Sequence, residues 1–189
     1  MNSLSQNLFD RSPSMNDAIF RALCACFALD PDGGLAASLL IPAYQEPEPA
    51  PQPPRTRDII YYYFLPEDEP QSRWQTFSVS SGRPVVSSPL CYKLILICYG
   101  PNCETNAQKV RSFFLLDGNN MPRQILRAAG IYPLPDPAPP MILYEEENSL
   151  WRKRADLTLY LYTTDSETYP NRQGMISAAP AVLMYKSGE

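Results

Sequence analysis

Residues Pro89 to Leu116 read PLCYKLILICYGPNCETNAQKVRSFFLL, and this stretch decides the fold. From Cys91 to Tyr99 nearly every residue on both alternating faces is apolar, which is typical of a strand covered on both sides. Gly100 and Pro101 end that strand. Asn102 is suited to accept hydrogen bonds from the free amides of a following helix. The stretch therefore predicts a central strand, a tight corner and a packed helix.

The predicted helix has one apolar face, formed by residues that recur at helical spacing: Ala107, Val110, Phe113 and Phe114. Such a face must be buried, so we expect the helix to lie back across the sheet. The fold class is accordingly α/β of the α+β type. We expect a mixed, mainly antiparallel sheet with helices packed on one face and proline-rich extended loops between the elements.

The other elements are predicted from their own local patterns. A capping-box pattern at Ser14 and Asp17 opens a helix that stops before Asp30-Pro31. Asn120 caps a second short helix that ends at Gly130. The predicted strands are Ile59 to Leu65, Arg73 to Ser80, Pro84 to Ser87 and Leu157 to Tyr162, with a brief pairing from Met141 to Tyr144.

The length of 189 residues suits one domain with a real core. We expect a flexible arm over 1–13, a single domain over 14–165 and a tail or added edge strand over 166–189, with Ala179 to Tyr185 as its apolar part. The 21 prolines are about twice the usual share. Gln45 to Pro54 is the densest run, and it is either a stiff surface spacer or an extended arm recognised by another subunit.

Charge and cysteine content exclude several classes of protein. The formal net charge is −4 and no long basic run is present, which argues against a dedicated nucleic-acid or membrane-surface binder. We find no targeting segment and no uncharged apolar stretch long enough to span a membrane. Five cysteines, of which Cys91 and Cys98 fall in the apolar strand, are expected to be reduced thiols. The protein is therefore expected to be made and assembled in a reducing cytoplasm.

The residues that usually carry catalysis are missing or badly spaced. There is no histidine, so hydrolytic triads are excluded. Cys24 and Cys26 have the wrong spacing for a zinc knuckle or a redox pair. Glu145 to Glu147 is expected to be a solvated acidic turn rather than a cation site. We predict no catalytic, cofactor or metal residue and no enzyme, and only a weak alternative uses Cys98 or Cys103 as a nucleophile.

Aromatic side chains indicate contacts with other proteins instead. Tyr61, Tyr62 and Tyr63 share one strand, and their rings serve either an interface or a second layer of core. Trp151 with Arg152 and Arg154 is the type of cluster that anchors subunit contacts. The alternative for that cluster is a corner of the fold held by an arginine and Asp156.

Three blocks, in order, resemble the neck or tail terminator proteins of tailed phages and prophages. The first is Gln45 and the prolines ahead of the tyrosine strand. The second runs from Cys98 to Asn102 and on through Ala107, Val110 and Arg111. The third is Trp151 to Leu157, before the last strand. The resemblance covers about residues 14 to 165, whereas the long proline segment and the tail beyond Asp165 depart from it.

The resemblance implies a non-enzymatic structural virion protein of the tail or neck. It implies a homo-oligomeric ring, a hexamer, at the head-proximal end of the tail tube. The ring would stop tube polymerisation and dock the head connector or stopper protein, with the tail tube protein as the other partner. DNA would pass through without specific binding, and no membrane or cofactor is implied. The alternative is a monomeric adaptor that binds a protein or peptide through the tyrosine strand.

Two sets of residues follow as candidates for function. Expected interface residues are Tyr61, Tyr62, Tyr63, Tyr99, Gly100, Pro101, Asn102, Trp151, Arg152 and Arg154. Expected lumen-facing residues are Glu67, Asp68, Glu69, Glu145, Glu146 and Glu147. The acidic set is chosen because DNA must slide past without adhering.

Overall fold

The computed structural model describes residues 12–43, 56–68, 75–80, 83–115, 120–135, 138–147 and 150–168. The helices are α1 (Ser12–Phe27), α2 (Gly34–Leu39), α3 (Cys103–Leu115) and α4 (Met121–Ala128). The strands are β1 (Leu40–Pro42), β2 (Ile59–Glu67), β3 (Thr76–Ser80), β4 (Arg83–Tyr99), β5 (Tyr132–Pro133), β6 (Met141–Glu147) and β7 (Leu150–Thr168). This content confirms the predicted α+β class.

The strands form one mixed, mainly antiparallel sheet in the order β1-β2-β4-β7-β5. β3 also pairs with β4, and β6 also pairs with β7. β1 and β2 are parallel, and the other pairs are antiparallel. β4 and β7 are the long central pair, in register from Val85 opposite Thr168 to Tyr99 opposite Arg154. The predicted central strand is therefore at the centre.

The main core lies between the sheet and the helices. Ile60 and Tyr62 of β2, Leu94, Leu96 and Cys98 of β4, and Ala155, Leu157, Leu159 and Leu161 of β7 all belong to it. These residues alternate along their strands, so they share one face of the sheet. We call this the helix face and the other the open face. Ala107, Val110 and Phe114 of α3 pack into the same core, as their spacing predicts.

β4 is longer than the sequence indicates, because Pro84 to Ser87 continues into the central strand without a break. Pro89 resembles a strand breaker, since proline has no N–H to donate. Its position in the sheet explains why it is tolerated. Along β4, residues 83–87 pair with β3 and residues 91–99 pair with β2, so residues 88–90 have no partner strand on that side. Pro89 lies opposite the gap between those two strands, where no ladder hydrogen bond is lost.

The prediction of an acidic turn at Glu145 to Glu147 is wrong. These residues end β6 and pair with β7, with Glu145 opposite Arg152. The segment from Trp151 to Asp156 likewise lies inside β7 rather than before it. The local composition is charged, but opposite charges face each other across the strand pair, which favours pairing over a solvated loop.

Of two predicted helix starts, one differs from the structure and one is confirmed. Ser14 is inside α1 rather than at its start, and Asp17 pairs with Arg21 (Nε to Oδ2, 2.9 Å) instead of completing a capping box. Asn120 does cap α4, because its Oδ1 accepts from the backbone N–H of Arg123 at 3.0 Å. Four sets of residues lie outside the described part: the run from Gln45 to Pro54, Glu69, most of the N-terminal arm, and residues 169–189 of the predicted tail.

Candidate interaction surface

The corner at Gly100, Pro101 and Asn102 is built around the carboxylate of Asp58. Asp58 Oδ1 accepts from the backbone N–H of Asn102 and Oδ2 from its side-chain amide, both at 2.9 Å. Gly100 has φ of 105°. A Cβ there would lie 2.5 Å from Asp58 Oδ1 and 2.6 Å from the carbonyl oxygen of Arg57. The corner therefore needs glycine at position 100. Asn102 joins the start of α3 to the residue before β2 by donating two hydrogen bonds to Asp58, whereas the sequence predicts that it accepts hydrogen bonds from the helix amides.

An aromatic and arginine cluster lies on the open face beside this corner. Tyr61 and Tyr99 meet edge to face, with ring centroids 6.0 Å apart. The guanidinium carbon of Arg152 lies 4.4 Å from the centroid of the Tyr99 ring, a cation–π contact. Arg152 is buried. The sheet thus brings together three predicted interface residues from three different strands.

Arg154 holds β6 and β7 together next to this cluster. Its Nη1 lies 2.8 Å from Glu145 Oε2 and its Nη2 lies 3.1 Å from Asp156 Oδ2. Burial raises the pKa of Asp156, and the charge of Arg154 opposes that shift. Burial also raises the pKa of Tyr99. Among the described residues, Asp156 Oδ1 is buried with no hydrogen-bond partner, so the cluster is held at some electrostatic cost.

The three tyrosines of β2 do not share one environment. Tyr62 is in the core on the helix face, 1% exposed, and burial raises its pKa to about 12. Tyr61 and Tyr63 point to the open face, because side chains alternate along a strand. Tyr61 is buried and Tyr63 is half-buried. The strand that carries the three tyrosines therefore places one ring in the core and the other two on the open face.

Trp151 lies near the end of the β6–β7 pair and is 71% exposed. It is opposite Glu146, and Tyr144 is opposite Lys153, so Trp151 and Tyr144 are diagonal neighbours on the same face. Tyr144 is also exposed. We call these two residues the hairpin patch. The sequence analysis singled out Trp151 but missed Tyr144, which the alternation of Met141 to Tyr144 could have revealed.

A second exposed apolar group lies at the opposite end of the sheet. There β3, residues 83–90 of β4 and residues 163–168 of β7 form a three-stranded arm. Phe77 of β3 is 73% exposed and is paired with half-buried Val86. We call Phe77 and Val86 the arm patch. Its sequence is short and polar around one phenylalanine, and no pattern in it indicates exposure.

The sequence matches a known protein family. A family model described as phage neck terminator protein matches residues 14–179. The chain belongs to the phage neck terminator protein family. No curated protein matches it.

As a member of this family, the chain is a structural protein of the phage virion, located in the tail or neck, where it interacts with other tail and head proteins. The family is a structural one and is not known for enzymes. In the described part of the chain no helix is long and apolar enough to cross a membrane. Nor do His, Cys, Asp or Glu side chains there gather in threes to hold a metal ion.

The acidic residues predicted to face a lumen fall into two separate places. Glu67 ends β2 and Asp68 follows it, exposed. Glu145 and Glu146 lie on β6, and Glu145 is engaged with Arg154. Glu147 is the last residue of β6. Glu146 and Asp68 are the acidic side chains of this set that face solvent most openly among those described.

The cysteines of the chain have the environment of structural residues. Cys24, Cys26, Cys91, Cys98 and Cys103 are free thiols, and each is buried. Burial raises the pKa of the Cys98 thiol, the opposite of what a nucleophile needs. Cys103 is 1% exposed, so a substrate cannot reach it in this conformation.

Proposed function

We propose that this protein is the subunit of a homo-oligomeric ring, a hexamer, that closes the head-proximal end of the tail tube. The ring stops tube polymerisation and provides the docking surface for the head–tail connector or stopper protein. Family membership supports a role in the neck. The observation that supports a ring is the placement of the hairpin patch and the arm patch.

These two patches lie at opposite ends of β7. Trp151 is near its start, and Phe77 is linked through Val86 to Glu167 near its end. At about 3.3 Å per residue the two positions are about 50 Å apart. Two unlike surfaces at such a distance suit a heterologous contact, in which the hairpin of one subunit meets the arm of the next. Heterologous contacts that close under rotation generate rings.

In this proposal the other interface residues predicted from the sequence hold the contact surface in position and do not themselves contact the neighbouring subunit. Arg152 and Arg154 fix the strand that carries Trp151. Pro101 and Asn102 are exposed at the same end of the molecule, beside the start of α3. Tyr99 and Gly100 hold that corner in place. The direct contact with the neighbouring subunit is assigned to Trp151 and Tyr144.

Mass measurement by light scattering tests the ring, first on the protein alone and then with tail-tube subunits added. We expect a closed oligomer of about six copies, or a monomer that becomes a ring on the tube. Trp151→Ala should stay folded and lose this assembly. Tyr132→Ala removes another exposed aromatic residue, on β5, and should assemble as the wild type does. A strict monomer that ignores the tube would favour the adaptor function instead.

The lumen is proposed to be lined by acidic residues, which let DNA slide without adhering. Charge reversal at Glu67, Asp68 and Glu69 to lysine is the cleaner test, because reversal at Glu145 would also break its ion pair with Arg154. We expect slower DNA ejection from virions that carry the lysines. Unchanged ejection would reject a luminal position for this loop.

A further inference from the structure

Part of the open face is buried although the helices pack on the other side. Along β2 the side chains that point to this face become more exposed in order, from Ile59 (5%) and Tyr61 (8%) to Leu65 (48%). Ile59 and Tyr61 are not members of the helix-side core. Tyr61, Tyr63 and Arg152 each have an interaction partner in addition to the contacts given above. Cover is therefore concentrated at the start of β2.

The chirality of the chain tells which face the connection from β1 to β2 crosses. Consider β2 pointing up, with the helix face toward the viewer. An L-residue whose side chain points at the viewer then directs its C=O to the viewer's right. Tyr62 is such a residue, and its C=O accepts from the N–H of Ala43, just beyond β1, at 2.8 Å. β1 therefore lies to the right of β2.

The step from β1 to β2 is then a leftward move between parallel strands. Crossovers between parallel strands are right-handed in about 98% of cases. A leftward step is right-handed only if the connection passes behind the sheet, which here is the open face. The helix face at this position is also already occupied, since α2 packs on β1 and β2.

We propose that the proline-rich segment 44–55 lies across the open face and packs on Ile59, Tyr61, Tyr63, Ile95 and Ile97, the open-face patch. The segment contains Pro47, Pro49, Pro51, Pro53 and Pro54, a spacing that favours polyproline II structure. Aromatic-lined surfaces are the usual docking sites for such segments. This inference does not depend on the proposed ring.

The length of the segment fits the path. Pro42 is paired with Tyr62, and the chain must return to Thr56, six residues before Tyr62. That distance is about 20 Å at the rise of a strand. Twelve residues of polyproline II, from 44 to 55, span about 37 Å at about 3.1 Å each. The excess lets the segment run over β2 toward β4 rather than straight along the edge.

The packing has a consequence for recognition by other proteins. With its own proline segment as the occupant, the tyrosine strand is not available to a neighbouring subunit or a peptide ligand. The segment is then an internal ligand of the fold rather than a spacer. Contacts with partners are left to other surfaces of the molecule.

Paramagnetic relaxation tests this placement on the full chain. Ala50→Cys is coupled to a nitroxide label, and the isoleucine methyl groups are observed by NMR. The native cysteines are buried, so wild type treated with the same reagent should remain unlabelled. We expect severalfold stronger broadening at Ile95 and Ile97, on the open face, than at Ile19 of α1. Leu35→Cys, exposed on α2, is the matched control and should reverse that order.

Four other outcomes overturn the proposal. Stronger broadening at Ile19 would place the segment on the helix face. No broadening at either position would place it away from the sheet. Broadening that persists in a mixed sample, where the label and the observed methyl groups are on separate molecules, would assign the segment to a neighbouring copy. Replacing the five prolines with serine should raise the accessibility of Tyr61 and Tyr63 to nitration, and unchanged accessibility would also contradict the contact.

Discussion

At the scale of single residues, Gly100 has the strictest backbone requirement among the described glycines. Its φ of 105° disfavours any L side chain, and a Cβ would overlap Asp58 and the Arg57 carbonyl. We expect Gly100→Ala to lower the free energy of unfolding by at least about 2 kcal/mol, from left-handed backbone cost plus the clash. Urea denaturation followed by circular dichroism measures this change.

Two other glycines separate the causes of that loss. Gly130 has φ of 71° but nothing within 4 Å of a Cβ, so Gly130→Ala should cost only the backbone term, about 1 kcal/mol. Gly34 has free space and opens α2, so Gly34→Ala should be neutral or slightly stabilising. Equal losses at positions 100 and 130 would mean that the corner relaxes around the added methyl group.

Asp156 should make stability depend on pH in an unusual direction. Burial raises the pKa of its carboxyl in the folded protein, so the folded state holds the proton more tightly than the unfolded state. The protonated carboxyl therefore adds to the free energy of unfolding. This contribution is fully present below the ordinary aspartate pKa of about 4 and is lost as pH rises through the raised pKa of Asp156 in the folded protein. We therefore expect Asp156→Asn to become less destabilising, relative to wild type, as pH increases from about 4 toward neutrality.

Thermal melts of both proteins across this range provide the measurement. Asp17→Asn is a suitable control, because Asp17 is an exposed residue paired with Arg21 on α1. This substitution removes a carboxylate that is exposed rather than buried, so it separates the loss of a charge from the burial of one. A constant difference between Asp156→Asn and wild type at every pH would show that ionisation of Asp156 does not oppose folding.

The sequence predicts that side chains alternate between the two faces of β2, but it does not predict which of those faces packs against the helices. Tyr61 and Tyr62 are equivalent as amino acids, and only the position of the helices makes Tyr62 a core residue. The same holds for Arg152. Its burial depends on the Tyr99 ring, which comes from a strand more than 50 residues earlier.

At the scale of elements, the start of α4 is determined by a capping residue that the sequence identifies. Asn120 Oδ1 accepts from the Arg123 N–H, and Asn120 Nδ2 donates to the carbonyl of Phe113 at 2.9 Å, which joins α4 to α3. Asn120→Ala should cost about 1–2 kcal/mol, the usual range for a lost cap plus a tertiary hydrogen bond. Asn120→Asp keeps the acceptor and loses the donor, so we expect an intermediate loss in urea denaturation. Equal losses for both variants would assign the whole effect to the Phe113 contact.

Strand lengths were harder to predict than strand positions, and the reason is pairing over long range. β4 continues through Pro89 because the neighbouring strands leave a gap there. β6 continues through Glu145 because Arg152 and Arg154 lie on the paired strand. Composition within a short window favours a loop at both places. The partner that overrides it is decided by the sheet as a whole.

At the scale of the whole molecule, the two patches at the ends of β7 give the proposed ring a sharp test. Trp151→Ala disables the hairpin patch, and Phe77→Ser disables the arm patch. Each variant alone should remain monomeric, because every contact in a heterologous ring needs one patch of each kind. A mixture of the two variants retains one intact pair of patches, so it should form dimers that cannot grow further. Light scattering or sedimentation distinguishes these dimers from monomers and rings. If the mixture stays monomeric, the patches do not meet each other; if either variant alone forms the complete ring, the patch it lacks is not part of the subunit contact.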